Sequence, residues 1–169
     1  MITFRKEIPG DEAGIHLVNE EAFGRSGEAD LVDALRHRGA CRVSLVAVED
    51  GRIIGHILFT PVILDGAKPT PDVVGLAPLA VLPSHQRRGI GANLIRLGLE
   101  ECRKDGCEIV IVFGHPTYYP CFGFQPAHLF GIRYEFEVPE EAFMAMALRE
   151  RALVGRGGIV RYLPEFHDV

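Results

Sequence analysis

No apolar run in this chain approaches the ~20 residues that a membrane-spanning helix requires. The opening Met1-Ile-Thr-Phe-Arg5 has no apolar core of the kind a secretion signal carries. Neither membrane insertion nor export is expected, and the expected location is cytoplasmic. Paired cysteines are also missing. The four cysteines, Cys41, Cys102, Cys107 and Cys121, include no C-x-x-C pair and no clustered histidine spacing, so they read as reduced thiols and no metal is expected. Basic charge is scarce: the net charge is −5, whereas a nucleic-acid-binding face is normally basic. Repeats, low-complexity tracts and linkers are absent as well. One domain over residues 1–169 is expected, with 47% hydrophobic residues to build its core.

Periodicity supplies the elements. Ile2 to Ile8 alternates as an edge strand ending at Pro9-Gly10, and Asp11 is placed to cap a helix carrying Ile15, Leu17, Val18, Ala22 and Phe23. Gly24 to Gly27 breaks that helix. A second, Glu28 to His37, stops at Gly39. Val43–Glu49 and Arg52–Val62 form a hairpin turned by Asp50-Gly51. After a proline-containing loop at Lys68–Pro71, Val73–Leu82 is nearly continuous in apolar residues, as in a strand buried on both faces. A helix from Arg88 to Lys104 and an apolar strand Glu108–Phe113 follow. Residues 130–138 alternate enough for a strand, Phe143–Leu148 is assigned strand, and Ile159–Leu163 closes the chain.

The segment Leu79-Ala-Val-Leu-Pro-Ser-His-Gln-Arg-Arg-Gly-Ile-Gly-Ala-Asn-Leu-Ile95 joins an apolar strand to an amphipathic helix through a turn with two glycines. The first N–H groups of a helix have no partner inside it, and the helix dipole makes that end partially positive. Gly89 and Gly91 let an anion lie against the backbone, while Gln86, Arg87 and Arg88 add side-chain donors. The order Gln86-x-x-Gly89-x-Gly91 is neither the dinucleotide nor the nucleoside-triphosphate glycine pattern. It suits a pyrophosphate held by main-chain donors.

These residues resemble the acetyl-CoA motif of the GNAT superfamily of N-acetyltransferases, Gln/Arg-x-x-Gly-x-Gly/Ala. A second block, Tyr119-Pro-Cys-Phe-Gly-Phe124, resembles that family's Tyr-x-x-x-Gly-Phe, and the likeness extends over roughly residues 2 to 135. It implies an α/β fold with a mixed, mostly antiparallel twisted sheet, splayed central strands and helices on both faces. It implies acetyl-CoA as acyl donor, with Leu79, Ala80 and Val81 pairing with the pantetheine arm and Gln86, Arg87, Arg88, Gly89, Ile90, Gly91 and Ala92 cradling the phosphates. Pro78 cannot donate a ladder hydrogen bond, so it marks a bulge or an end of pairing, where the family's strands part.

Acetyl transfer from a thioester to an amine requires loss of an amine proton, a donor to the carbonyl oxygen and a proton for the leaving thiolate. The resemblance gives Tyr119 the last role. The Leu79 N–H, beside Pro78, is the candidate donor to the carbonyl. Val73–Leu82 holds no acid, so the base is open: His115 is one candidate, and Glu20, Glu21 or Glu28 acting through water are others. Tyr118 is expected to face away from Tyr119 and to line the acceptor site. His85 reads as a phosphate-side or surface residue and Cys121 as a packed thiol. The expected reaction is direct acetylation of a primary amine of a small molecule or peptide. A non-catalytic acyl-CoA sensor is the alternative. No nucleic-acid or membrane partner is expected, and the sequence leaves a homodimer, the acyl length and the acceptor open.

Overall fold

The computed structural model describes residues 1–66 and 70–169, so Lys68 and Pro69 of the expected Lys68–Pro71 loop lie outside the described residues. The described strands form one mixed, mostly antiparallel sheet accompanied by three α-helices. The chain groups into two compact units, one of residues 1–60, 77–100 and 164–169, the other of residues 61–76 and 101–163.

In the first unit, strand β1 (Ile2–Lys6) pairs antiparallel with β2 (Val43–Glu49), and β2 with the first part of β3 (Arg52–Asp65). The β2–β3 turn is the expected one, with both Asp50 (φ 49°) and Gly51 (φ 75°) left-handed, as a two-residue hairpin requires. Helices α1 (Glu12–Phe23) and α2 (Gly27–Arg38) each end at a left-handed glycine, Gly24 and Gly39. Asp11 does not cap α1 with its side chain as expected. Its carboxylate instead accepts from the Ile8 N–H (2.8 Å) and from Arg5 (2.7 and 3.1 Å), tying the helix start back to β1. Helix α3 (Ile90–Lys104) approaches β3 closely because Gly98 has no side chain. A Cβ there would meet the buried Phe59 ring at 2.4 Å.

In the second unit, the first residues of β4 (Val73–Val81) run parallel to β5 (Ile109–Phe113), and β8 (Phe143–Ala147) lies antiparallel between β5 and the two-residue β6 (Gln125–Pro126). Strand β9 (Gly158–Arg161) pairs with β3 at Ile63–Asp65 and with β7 (Ile132–Tyr134). Val62, Leu64, Val73, Ile109, Ile111 and Phe143 are among the residues that close its core. The expected strand over residues 130–138 shrinks to Ile132–Tyr134. Gly131 (φ 72°) caps a 3₁₀ turn before it, and Pro139 precedes another, so the alternating residues between them belong mostly to a surface bend.

The pairing of β4 with β5 covers only Val73–Gly75 opposite Ile109–Ile111. Beyond it β4 continues to Val81 and β5 to Phe113, with no further pair between them among the described residues. Pro78 falls beyond the residues of β4 that pair with β5, and the Ala77–Pro78 peptide is cis.

Candidate acetyl-CoA and acetyl-transfer site

In the first unit, the turn expected to hold the phosphates joins β4 to α3. Gln86, Arg87, Arg88 and Gly89 are exposed, while Ile90 is buried and anchors the helix. The Gln86 side chain donates to the Val81 carbonyl (3.1 Å), which closes the loop onto the end of the strand. Arg87 (φ 63°) and Gly89 (φ 79°) are both left-handed, and nothing lies within 4 Å of where a Gly89 Cβ would stand. The Asn93 N–H bonds the Gly89 carbonyl (3.0 Å), so Gly89 caps the helix and the N–H groups of Ile90, Gly91 and Ala92 precede its first internal partner. Converging main-chain donors, an open face and two guanidinium groups fit a pyrophosphate. His85 does not extend this face. Its Nε2 lies 2.9 Å from Glu49 and its Nδ1 2.7 Å from Ser84, so the ring fastens the turn to the end of β2.

In the second unit, Tyr119 opens a 3₁₀ turn, Tyr119–Phe122, the short helical turn that Pro116 and Pro120 allow. Its N–H and that of Tyr118 both point to the His115 carbonyl (3.4 and 3.1 Å). The backbone is therefore coiled, and Tyr118 does not face away from Tyr119 as an extended segment would require. Their rings meet edge to face at 5.2 Å, and Phe124 packs on Tyr119 at 5.7 Å. Gly114 makes the seat, since a Cβ there would lie 2.4 Å from the Tyr119 ring. The Gly114 N–H is held by the Ala142 carbonyl (2.9 Å). Tyr119 is buried, and burial pushes its hydroxyl up to about 12, so it remains a protonated donor. His115 and Cys121 are exposed. Phe113 and Tyr118 expose apolar surface on the same segment.

The candidate bases on the N-terminal helices differ in how committed they are. Glu28 is buried and doubly bonded to Arg25 (2.6 and 3.0 Å), which holds its carboxyl below the usual range. Glu20 and Glu21 are exposed, at 3.8 Å from His16 and 3.5 Å from Arg52.

The acetyltransferase (GNAT) family model matches residues 13–119, which run from α1 through the glycine turn to Tyr119. This chain belongs to the GNAT family. It is 44% identical to the uncharacterized N-acetyltransferase YjhQ of Escherichia coli over 82% of its own length and 78% of that protein's. A crystal structure of the GNAT family N-acetyltransferase YhbS of Escherichia coli in complex with CoA superimposes with a TM-score of 0.93 at 35% identity, covering 98% of this chain and 92% of that one. A GNAT acetyltransferase of Brucella melitensis in complex with acetyl-CoA gives 0.82 at 36% identity, with 98% of each chain covered. Among the described residues, no helix of this GNAT chain is long and apolar enough to cross a membrane.

Sequence reasoning missed the seat at Gly114 and a cavity of about 350 Å³ whose lining includes Tyr134, Glu135, Phe136, Glu137, Glu140 and Phe143. The aromatic–acid alternation of Tyr134 to Glu137 was the available signal, and it also reads as an ordinary strand.

Proposed function

We propose that the chain acts as one acetyl-CoA-dependent N-acetyltransferase domain in the cytoplasm, moving an acetyl group directly to a primary amine of a small molecule or peptide. The observation that carries this reading is the β4–α3 turn, with its exposed glycine, free helix N–H groups and paired arginines, in a chain of the GNAT family. Bound acetyl-CoA supplies an acetyl group activated as a thioester. The backbone of Leu79, Ala80 and Val81 takes the pantetheine amides, and residues Gln86 to Ala92 take the pyrophosphate. The Leu79 N–H donates to the carbonyl oxygen as charge grows there. The Tyr119 hydroxyl donates to the departing sulfur, and His115 or a helix carboxylate acting through water accepts the amine proton. No metal enters this chemistry. Strand β4 carries no acid, which favours the sensor as the second reading. Free thiol release across a panel of amines separates the two: firm acetyl-CoA binding with no turnover on any amine would mean a sensor.

Two variants test the two halves of the reading. Gly91→Val stands in the first turn of α3, where valine costs the helix no more than glycine does. Calorimetry should show acetyl-CoA bound more weakly by ~1–3 kcal/mol, the cost of stranding polar partners, in a protein of unchanged melting temperature. Unaltered affinity would remove the phosphate role of the turn. Gly114→Ala pushes on the Tyr119 ring. Turnover should fall by up to about 10²-fold, as a 1 Å misplacement can cause, with acetyl-CoA affinity held.

A further inference from the structure

The cavity around Tyr134 lies wholly in the second unit, and its volume of about 350 Å³ falls in the ~300–1,000 Å³ range of small-molecule pockets. Its floor is a fixed aromatic group. Tyr134 stacks on the buried Phe143 at 5.5 Å, with Phe136 edge-on at 5.4 Å and Tyr162 edge-on at 5.4 Å. The Tyr134 ring is thus held from three directions, while Phe136 is 52% exposed and offers its own surface to a ligand. Three carboxylates, Glu135, Glu137 and Glu140, line the same space.

Those carboxylates are incompletely neutralised. Glu135 meets Arg161 only at 3.9 Å, and Arg161 is also engaged by Asp65 at 3.2 Å. Among the described residues, Glu140 meets only His128, which also lines the cavity, at 4.0 Å. Glu137 is exposed and has no ion pair among the described residues. Arg133 is the cation on the opposite side of the balance, since it also lines the cavity. Aromatic faces attract cations through their quadrupole, and the surrounding acids add charge attraction of the same sense. The cavity also adjoins the strand that leads to the Tyr119 seat. Phe143 stands opposite Phe113 in the β5–β8 pair, and the next residue is Gly114.

We infer that this cavity binds an organic cation, an ammonium or guanidinium group on an apolar stem. Its role, the end of the acceptor remote from the amine that is acetylated, rests on the transfer reading above. Its existence does not. The test therefore uses the full chain without acetyl-CoA and three probes of similar shape: phenethylamine, 2-phenylethanol and 3-phenylpropionate. Titration followed by NMR or calorimetry at low salt should rank the amine about fivefold tighter than the alcohol, the worth of one good surface ion pair, with the carboxylate weakest. Glu137→Gln with Glu140→Gln should abolish the amine's advantage and leave the alcohol unchanged. Phe136→Ala should weaken both. These side chains are exposed, so the variants should melt with the parent.

Equal binding of amine and alcohol would overturn the proposal, as would an advantage that survives the double variant or no binding by any probe. Tightest binding of the carboxylate would assign the cavity to anions through Arg133. A chain that ranks the probes as expected yet acetylates no amine would sink the transfer reading and leave the cation site standing.

Discussion

Tyr119→Phe should lower turnover by ~10²–10⁴-fold, the usual worth of general acid catalysis, while acetyl-CoA affinity barely moves. The substitution keeps the ring that packs on Tyr118 and Phe124 and fills the seat over Gly114, so only the hydroxyl is lost. A proton needed at the departing sulfur matters in the transition state and not in the ground state, which is why rate and affinity should separate. Burial holds the hydroxyl at about 12, so it does not surrender its proton in advance. In the proposed mechanism it donates only as the carbon–sulfur bond breaks. The parent's pH profile should then show no loss from this residue across the mildly alkaline range, well below its titration at about 12. Single-turnover thiol release and equilibrium binding, measured on both proteins, check the claim. Equal rates would make Tyr119 a wall of the site and no more.

Legibility in the sequence followed the range of the forces involved. The Asp50-Gly51 hairpin, the ends of α1 and α2 and the β4–turn–α3 unit depend on backbone conformation and apolar period within a few residues, and each formed where the pattern put it. The cap at Asp11 did not, because a guanidinium from β1 competed for the same carboxylate. Residues 130–138 alternate like a strand, yet only Ile132, Arg133 and Tyr134 pair with β9. A period of two says which faces a segment has and not whether a partner strand reaches it. The Tyr119 block could be aligned by its Tyr-x-x-x-Gly-Phe spacing, whereas the coil that brings Tyr118 against it depends on two prolines and one carbonyl. His85 was ambiguous for a similar reason, since its partner Glu49 is distant in sequence.

The same limit hid a buried polar network in the first unit. His56 and Asn19 are fully buried, thirty-seven residues apart, and joined at 3.1 Å. The network fixes the proton on His56. Ser44 gives its hydroxyl hydrogen to Glu7 (2.6 Å), so at 3.0 Å from His56 Nε2 it can only accept. Asn19 donates through Nδ2 both to the Ile15 carbonyl (2.9 Å) and to His56 Nδ1, so that nitrogen is the acceptor. The imidazole is therefore neutral, protonated at Nε2, and a second proton has no place to go without breaking the bond to Asn19.

Protonating His56 should unfold the protein more readily, and the size of the effect follows from its surroundings. Burial pushes the imidazole down to about 4; the nearby Glu7 carboxylate opposes that shift and Arg36 reinforces it. An unfolded histidine takes its proton near 6.5, so between about pH 6.5 and 4 the unfolded chain binds more protons than the folded one. Stability is fully present above 6.5 and falls as pH drops through this window, by about 3 kcal/mol in all. Glu7, held low by Arg36 and Ser44 against its burial, adds a further loss of the same sign at lower pH as its carboxylate is protonated. Urea unfolding of the parent at pH 7.5, 5.5 and 4.5 should show the decline. His56→Gln should be less stable at pH 7.5, where the parent network is intact, yet should lose much less between pH 6.5 and 4.5. The other histidines are common to both proteins, so their contribution cancels in the comparison. Parallel pH slopes for parent and variant would mean that His56 is charged or solvated in the folded chain, and the proton arrangement drawn from Ser44 and Asn19 would be wrong.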